Sequence, residues 1–362
     1  MKGVLLHGGL GTRLRPLTHT GPKQLIRVAG KPVSQWVLED MRDAGVRDIA
    51  VILGTLSPLR VVEYYGDGGW LGVRITYIYQ GYPYGLAHAV YLARSFVRDE
   101  PFIVCLGDNI IASGLKEYVK AFEESDADAM ILLARVPDPR RFGVAVFDEK
   151  GRLVGLVEKP KKPPSNYALV GVYMFRDGTV FEEIEKLRPS WRGELEITDA
   201  LQALIRRGLK ISYAVVKGWW KDTGTPSDIL DANRLLLDER VKEQRIEGRV
   251  EEGARVEGRV VVEEDAVVEK GAVVRGPAYI CRGARIGEGA YIGPYTSIGV
   301  GAVLRRVEIE NSVVMDGARL EDAGRIVDSL IGSEAVVTTA RGLLPHGHRL
   351  VIGERGRVML HL

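Results

Sequence analysis

A six-residue repeat runs through the C-terminal third of the sequence and constrains its fold more than any other feature. A small residue stands two positions before most of the repeating aliphatic positions. A step of six is too short for a helical repeat unit, but it equals one side of a three-sided parallel β-coil. The aliphatic residues would then point into the prism, with the small ones at its corners. The aliphatic positions are Val250, Val256, Val262, Val268, Val274, Ile280, Ile286, Ile292, Ile298 and Leu304.

The repeat resembles the hexapeptide-repeat, left-handed β-helix family. Its register slips after Leu304 and resumes at Val314, Leu320 and Ile326, and we interpret the slip as a loop or corner insertion. All seven Phe and all five Trp residues lie before residue 221, whereas Val, Gly, Glu and Arg dominate after about residue 241. We therefore predict two domains, 1–240 and 241–362, of which the second is the β-helix.

The first domain alternates strand-like and helix-like segments. This alternation predicts an α/β domain with a Rossmann-like, mostly parallel sheet covered on both faces. A hairpin at 144–157 and a helix from Thr225-Pro226 to about residue 239 follow. The predicted strands are 3–6, 48–53, 74–80 and 102–106, and the predicted helices are 33–44, 58–65 and 85–97.

Composition excludes several classes of function. Fifty Lys and Arg against 48 Asp and Glu give a net charge of +2, far from the basic footprint of a nucleic-acid binder. No apolar run is long enough for a membrane span, and the start does not match a signal peptide. Cys105 and Cys281 have no metal-site or disulfide spacing. We expect a soluble cytoplasmic protein, and its few amide residues and many charges indicate a hot-growing source.

The first predicted strand runs into the glycine-rich sequence Gly8-Gly9-Leu10-Gly11-Thr12-Arg13. Glycines after a strand let backbone N–H groups approach a phosphate closely, so this is a candidate phosphate loop. The dinucleotide fingerprint is excluded because Leu14 holds its third glycine position, and no Gly-Lys-Ser/Thr follows as in a Walker A loop. Taken alone, the loop is equally compatible with a tight turn carrying an exposed arginine.

The stretch from Gly8 through Pro22-Lys23-Gln24-Leu25 resembles the signature of sugar-1-phosphate nucleotidylyltransferases. The spacing of further motifs is most similar to the long-form glucose-1-phosphate thymidylyltransferases of archaea and bacteria, and the resemblance covers essentially the whole chain. These motifs are Gln80 with Pro83 and Gly85-Leu86-Ala87, Leu106-Gly107-Asp108-Asn109, Glu158-Lys159-Pro160, Asn166-Tyr167-Ala168, Arg192-Gly193-Glu194-Leu195-Glu196-Ile197-Thr198-Asp199 and Trp220-Lys221-Asp222-Thr223-Gly224-Thr225.

The resemblance implies a Mg²⁺-dependent transfer of a nucleotidyl group from dTTP to glucose 1-phosphate. Because all reactants are anions, the site must supply cations and align an in-line attack. Arg13 and Lys23 would bind the triphosphate, Lys159 the sugar phosphate, and Asp108 and Asp222 the Mg²⁺. The implied nucleotide-binding residues are Leu6, Gly8, Gly9, Gly11, Thr12, Arg13, Gln24, Gln80, Gly85 and Asp108, and the implied sugar-phosphate pocket comprises Asn109, Gly143, Glu158, Lys159, Leu169, Tyr173, Arg192 and Glu194.

Three alternatives stay open. The enzyme could use UTP instead of dTTP, or also acetylate an amino sugar on the β-helix. Acetylation usually needs a histidine base, and residues 245–340 contain none; the nearest are His346 and His348. A non-catalytic regulatory subunit is the third alternative, and the presence of the motif-matched cations and carboxylates disfavours it. The flat coil faces predict a homo-oligomer.

We expect His7 and the pair Trp219-Trp220 to have structural roles. His7 stands where the family usually has a small residue; it could contact the nucleotide, but a structural role is favoured. Trp219 and Trp220 are interpreted as core packing.

Overall fold

The computed structural model describes residues 1–339 and 355–359, so His346 and His348 lie outside the described residues. The chain forms two compact units that are discontinuous in sequence. The first contains residues 1–10, 20–24 and 34–222, and the second contains residues 11–19, 25–33 and those from 223 onward. The domain boundary after residue 240 stays a prediction. Within the described part of the chain, no helix has the length and apolar character needed to cross a membrane.

Short strands and helices alternate up to residue 222. The strands are β1 (Lys2–His7), β2 (Arg27–Val28), β3 (Lys31–Pro32), β4 (Asp48–Leu53), β5 (Arg74–Tyr79), β6 (Phe102–Leu106), β7 (Asn109–Ile111), β8 (Ala129–Arg135), β9 (Gly143–Phe147), β10 (Leu153–Glu158), β11 (Tyr167–Phe175), β12 (Ile211–Val215) and β13 (Trp220–Asp222). The α-helices are α1 (Val33–Asp43), α2 (Pro58–Tyr65), α3 (Leu86–Leu92), α4 (Arg94–Val97), α5 (Lys116–Glu123), α6 (Thr179–Glu185) and α7 (Ile197–Arg206).

A nine-stranded sheet organises the first unit. Its order is β10-β9-β11-β6-β1-β4-β5, and β8 pairs with both β11 and β12. The strands β6, β1, β4 and β5 run parallel, whereas β11 is antiparallel to β6, β8 and β9. β1 and β4 are buried after their first residue, as is typical of parallel strands covered on both faces. The predicted α/β fold is confirmed, with a mixed sheet whose parallel part lies in its N-terminal half.

The second unit begins with two N-terminal segments and the long helix α8 (Pro226–Arg240), which Thr225 caps by accepting a hydrogen bond from the Asp228 backbone. The β2–β3 hairpin belongs to this unit, and α8 packs on β2. Short parallel strands then stack into coils. They are β14 (Arg245–Ile246), β15 (Arg249–Val250), β16 (Arg255–Glu257), β17 (Val260–Val262), β18 (Val267–Val268), β19 (Val273–Arg275), β20 (Ala278–Ile280), β21 (Arg285–Ile286), β22 (Tyr291–Ile292), β23 (Thr296–Ile298), β24 (Val303–Glu310), β25 (Val313–Val314), β26 (Arg319–Val327), β27 (Leu330–Ile331) and β28 (Val336–Thr338).

The repeat forms the predicted left-handed parallel β-helix. Val262 pairs with Ile280, and Ile286 pairs with Leu304, so each partner lies one coil of eighteen residues further on. The repeating aliphatic residues from Val262 to Leu304 are fully buried, and the small residues between them fill the same core.

The predicted insertion after Leu304 is wrong. Ile298 pairs with Val314 and Ile292 with Ile309, so these coils contain sixteen and seventeen residues rather than eighteen. The corners have lost residues, and Arg306 and Asn311 turn the chain with left-handed backbone angles of φ 46° each. Shortened corners keep the inward positions aligned without any added loop.

Candidate active site

The first unit brings four connecting segments to one edge of its sheet. They follow the carboxyl ends of the parallel strands β1, β4, β5 and β6, which is where open α/β sheets bind ligands. Gly8 follows β1, Gly54 follows β4, Gln80 follows β5 and Asp108 lies just beyond β6. The backbones of two of these segments touch: a Cβ atom on Gly54 would lie 2.9 Å from the Gly8 Cα. Gly54 therefore has to be glycine, a requirement that the sequence analysis missed.

Gln24 and Lys23 hold this edge from a neighbouring segment. The buried Gln24 donates from Nε2 to the Gly8 carbonyl at 2.7 Å, while its Oε1 has no hydrogen-bond partner among the described residues. Lys23 forms an ion pair with the Asp108 carboxylate, and both side chains are largely buried. Burial alone would raise the pKa of Asp108, but the Lys23 ammonium and hydrogen bonds from Lys23 and Asn109 bring it below its ordinary value.

Asp222 reaches the same place through the β7–β13 pair, in which it stands opposite Asn109. Asn109 donates from Nδ2 to Asp108 Oδ1 at 2.9 Å and accepts from the Trp220 indole at 2.8 Å. Asp108 directly precedes β7 and Asp222 ends β13, so the two predicted metal ligands lie at the same end of this small sheet. Trp220 is partly buried and packs against Phe142, and its hydrogen bond to Asn109 is a second role that the sequence did not indicate.

Gln80 has a defined amide orientation. Its Nε2 donates to the Gly85 carbonyl at 3.2 Å and lies 3.4 Å from His88 Nδ1. Because a carbonyl only accepts, Nε2 faces Gly85, while Oε1 would lie 3.2 Å from a Cβ atom on Gly8. Gly85 has φ 112°, and a Cβ there would meet the Leu195 backbone at 2.4 Å, so this position requires glycine. The residues implied for reading the base therefore adjoin the glycine-rich loop.

A second cluster surrounds Glu158. Its Oε2 accepts from the Thr198 hydroxyl at 2.6 Å, and its Oε1 lies 3.2 Å from Lys159 Nζ and 3.9 Å from Arg192 Nη1. Arg192 also pairs with Glu194 at 2.9 Å and with Glu196 at 3.1 Å. The cluster contains several carboxylates and cations that could bind hydroxyl and phosphate groups.

Apolar and small residues complete this cluster. Gly143 pairs with Glu158 in the hairpin, and a Cβ on Gly143 would lie 2.9 Å from Thr198 Oγ1 and 3.3 Å from Leu169 Cδ1. Tyr173 is buried, and burial and then the Glu158 charge raise its pKa. The structure thus brings the implied pocket residues Gly143, Glu158, Leu169, Tyr173, Arg192 and Glu194 together. Thr198 and Glu196 were missed, although they lie in the recognised run after Arg192.

Lys159 connects the two clusters through its backbone. It has φ 42°, a strained value for a residue other than glycine, and its N–H donates to the Phe142 carbonyl at 3.0 Å. The Phe142 ring packs edge-on against Trp220 at 5.1 Å between centroids, and Trp220 holds Asn109. Such strain persists only where the surroundings enforce it, so the position of Lys159 is well determined.

His7 is part of the interior. Its Nε2 lies 3.0 Å from Ser34 Oγ, its ring packs edge-on against Tyr65, and its Nδ1 has no partner among the described residues. Burial lowers the pKa of His7 to about 4, so the ring is neutral at pH 7. These contacts support the structural role favoured by the sequence.

The remaining residues of the glycine-rich segment are divided between the units. Leu6 is buried in β1 and accepts from the Gly107 N–H, and Gly9 has φ 95°. Gly11 and the 3₁₀ turn Thr12–Leu14 lie in the second unit, where the Thr18 hydroxyl donates to the Gly11 carbonyl at 2.8 Å. Arg13 is exposed and has no ion pair with any residue that the structure describes.

Comparison with known proteins identifies the family. Residues 2–239 match the Nucleotidyl transferase family model, and residues 274–343 match the GMPPB C-terminal domain model. The chain is 52% identical over 360 residues to the low-salt glycan biosynthesis nucleotidyltransferase of Haloferax volcanii, with 99% of this chain and 100% of that protein covered. It is 44% identical over 360 residues to a glucose-1-phosphate thymidylyltransferase of Streptomyces griseus, with 99% of each covered.

A solved structure extends the likeness to the catalytic fold. A Bacillus anthracis protein assigned to the glucose-1-phosphate thymidylyltransferases aligns with a TM-score of 0.61 and 39% identity, covering 65% of this chain and 94% of that one. Together with the carboxylates, cations and tight glycine turns at the sheet edge, these matches show that the chain belongs to the nucleotidyl transferase family and is a sugar-1-phosphate nucleotidyltransferase.

Proposed function

We propose that the enzyme transfers a thymidylyl group from dTTP to glucose 1-phosphate, giving dTDP-glucose and pyrophosphate. The orientation of the Gln80 amide carries this proposal. With Nε2 turned to the Gly85 carbonyl, Oε1 is left as the acceptor beside Gly8. Thymine and uracil present an N3–H that can donate to such an oxygen. Cytosine presents a ring acceptor there and adenine has no matching N–H, so both would leave buried polar groups unpaired.

The choice between dTTP and UTP depends in part on the single methyl group that distinguishes thymine from uracil. A methyl group in an apolar pocket is worth only about 1–3 kcal/mol, or roughly 10–200-fold in kcat/KM. The Lys23-Gln24-Leu25 sequence resembles thymidylyltransferases, and the Streptomyces relative carries that name. We therefore favour dTTP and expect UTP to be a weaker substrate.

The phosphates would be held by two cations and a metal ion. Lys23 sits at the sheet edge, and the exposed guanidinium of Arg13 offers a planar fork for phosphate oxygens. Asp108 and Asp222 would hold Mg²⁺, which when bound neutralises charge on the phosphates. The residues present fit this ion, because Asp222 stands opposite Asn109, whose side chain bonds Asp108, and Mg²⁺ usually takes one or two carboxylates plus phosphates and water.

The Glu158 cluster would bind the sugar phosphate. Carboxylates of Glu158 and Glu194 can accept hydrogen bonds from sugar hydroxyls, and Lys159 can pair with the phosphate. A phosphate oxygen of the sugar attacks the α-phosphorus, and the bond to pyrophosphate breaks, so no protein nucleophile is required. The residues described here act by orienting the two anions and by stabilising charge that moves onto pyrophosphate.

Pyrophosphate release tests the proposal directly. With glucose 1-phosphate present, we expect kcat/KM to be highest for dTTP, lower for UTP and poor for CTP and ATP. Gln80→Leu, which removes the acceptor but keeps the volume, should reduce this discrimination, whereas Gln244→Leu on the coil surface should not. If UTP is preferred, the proposed nucleotide is wrong but the reaction class stands; if ATP is preferred, the proposed role of Gln80 is wrong.

Two further expectations belong to the proposal. A cytoplasmic location fits an enzyme whose substrates are a nucleoside triphosphate and a sugar phosphate, and a homo-oligomer fits the flat coil faces. The acetyltransferase alternative gains no support, because residues 245–340 contain no histidine base.

A further inference from the structure

The β2–β3 hairpin closely follows a candidate catalytic lysine in the sequence and belongs to the same compact unit as the β-helix. Lys23 is two residues before Leu25, where the segment 25–33 begins, and this segment belongs to the same compact unit as the coils. The hairpin is only two residues long on each strand, with Arg27 opposite Pro32. A hairpin this short has little stability of its own, so its position depends on what it packs against.

Coil residues fix the turn of this hairpin. Gly30 has φ 86°, and a Cβ there would lie 2.2 Å from Tyr279 Cε1, so the tyrosine ring lies directly against the glycine backbone. Tyr279 is itself buried, and its hydroxyl donates to Glu263 at 2.6 Å. Arg27 Nε also donates to the coil residue Asp316 at 3.0 Å. The turn is therefore seated on the coils by both a ring contact and an ion pair.

Asn233 joins the hairpin, the helix α8 and the coils through one side chain. It is fully buried, and its Oδ1 accepts from the Ala29 N–H at 2.9 Å and from the Ser297 hydroxyl at 2.6 Å. Its Nδ2 donates to the Tyr295 carbonyl at 2.8 Å. An amide can donate and accept in this way, whereas a carboxylate or an apolar residue of similar size leaves at least one buried group unpaired.

We propose that Asn233, supported by Tyr279, is a positioning residue for catalysis: it seats the hairpin on the β-helix and thereby sets the position of Lys23. The inference rests on the proposed role of Lys23 in phosphate binding. Because only three residues separate Lys23 from the first strand of the hairpin at Arg27, a shift of the hairpin moves the Lys23 backbone. Displacements of about 1 Å can cost as much as 10²-fold in rate when a charged group must meet a phosphate.

A double-mutant cycle on the full-length chain tests this inference. The variants are Asn233→Ala, Lys23→Ala and their combination, and the matched control is Ile286→Val, which loosens the coil core away from the hairpin. We expect Asn233→Ala to lower kcat/KM by about 10-fold and Lys23→Ala by about 100-fold. The double variant should lie within about 2-fold of Lys23→Ala, since a position that no longer carries the ammonium cannot be misplaced. Ile286→Val should keep wild-type kinetics.

The outcomes distinguish the positioning role of Asn233 from the phosphate-binding role of Lys23 on which it rests. If Lys23→Ala is as active as wild type, the role of Lys23 itself is wrong. If Lys23→Ala loses activity but Asn233→Ala retains it, or the two losses multiply, the inference is overturned. Equal losses in Asn233→Ala and Ile286→Val also overturn it, because the effect would then be general destabilisation. Should Asn233→Ala fail to fold, Asp316→Asn replaces it, with an expected 2- to 3-fold loss that vanishes in the Lys23→Ala background.

Discussion

The two units of the molecule use the same charged residue types in opposite ways. On the coils, Arg285 and Arg305 both pair with Glu269 from neighbouring turns, and the arginines are about half exposed. In the sheet unit, Lys23 and Asp108 pair with little exposure just beyond the end of a parallel strand. Exposed pairs contribute about 0–1 kcal/mol each, whereas buried charges are costly unless they are paired.

This difference agrees with the proposed location of the active site in the sheet unit. The charged coil residues lie on a regular backbone. Each ion pair between coils resembles the next, so we expect single replacements to be tolerated. The charges of the sheet unit lie where regular structure stops, beside tight glycines and a strained Lys159. In the sheet unit, a bound phosphate or sugar can therefore replace the ion-pair partner of a charged side chain. Four predictions test this contrast, beginning with the largest expected effect.

The largest effect is expected at Asp108, which pairs with Lys23, and at Asp222. Asp108→Asn or Asp222→Asn should lower turnover on the order of 10²-fold or more, because each removes a proposed negative ligand for Mg²⁺. Pyrophosphate release at limiting Mg²⁺, with circular dichroism to verify folding, measures this. Asp322→Asn, which alters a coil carboxylate paired with Arg306, should keep full turnover. Near-normal turnover of both sheet-unit variants at limiting Mg²⁺ would rule out the metal assignment.

The second effect concerns stability in acid. Burial lowers the pKa of His7 to about 4 from 6.5, so the unfolded chain binds the proton first as pH falls. The resulting loss of unfolding free energy is absent above pH 7, begins near pH 6.5 and grows until about pH 4. It amounts to about 2 kcal/mol of unfolding free energy at pH 5. Urea denaturation at pH 7 and pH 5 should show this loss in wild type and in the exposed control His19→Asn, but not in His7→Gln. An equal loss in His7→Gln would contradict the assignment.

A smaller effect is expected at Thr198. Thr198→Val removes the hydroxyl that donates to Glu158 and preserves the side-chain shape, so Glu158 loses an orienting bond. We expect KM for glucose 1-phosphate to rise about 10-fold with little change in KM for the nucleotide. The equally buried coil residue offers a matched control, Thr296→Val, which should alter neither constant. A rise in both KM values would indicate a general structural role.

The smallest effect is expected on the coil ladder. Arg285→Ala removes one of two arginines from Glu269 and should change the unfolding free energy by no more than about 1 kcal/mol. Turnover should stay at the wild-type level. A tenfold fall in turnover would show that the coil charges also participate in function, and the contrast between the units would fail.

Local patterns predicted much of the fold. The strands β4 and β6 and the helix α2 begin and end at the predicted residues, because apolar runs and a proline at the helix start define them. The predicted helix over 85–97 instead breaks at Ala93, giving α3 and α4. The coil register after Leu304 could not be deduced, since shortened corners and an insertion leave the same break in a six-residue pattern.

The sequence motifs predicted which residues would gather in the candidate site, but not the contacts that hold them there. The motifs around Glu158 and Arg192 identified a cluster that the structure assembles, although the roles of its residues stay predictions. The bond from Trp220 to Asn109 spans more than a hundred residues, and no local signal distinguishes such a tryptophan from core packing. The grouping of segment 25–33 with the coils is equally long-range and was not foreseen.

The varying coil length has a consequence for how such chains can change over generations. Adding or deleting one complete coil returns every later side chain to the face it occupied before, so the β-helix can grow or shrink in whole turns. Loss of a single residue would normally turn the following inward side chains toward solvent. It is tolerated only where a corner can close with a left-handed residue, as at Arg306 and Asn311. Insertions and deletions in related sequences should therefore come in blocks of one coil, with the exceptional one-residue gaps confined to corners.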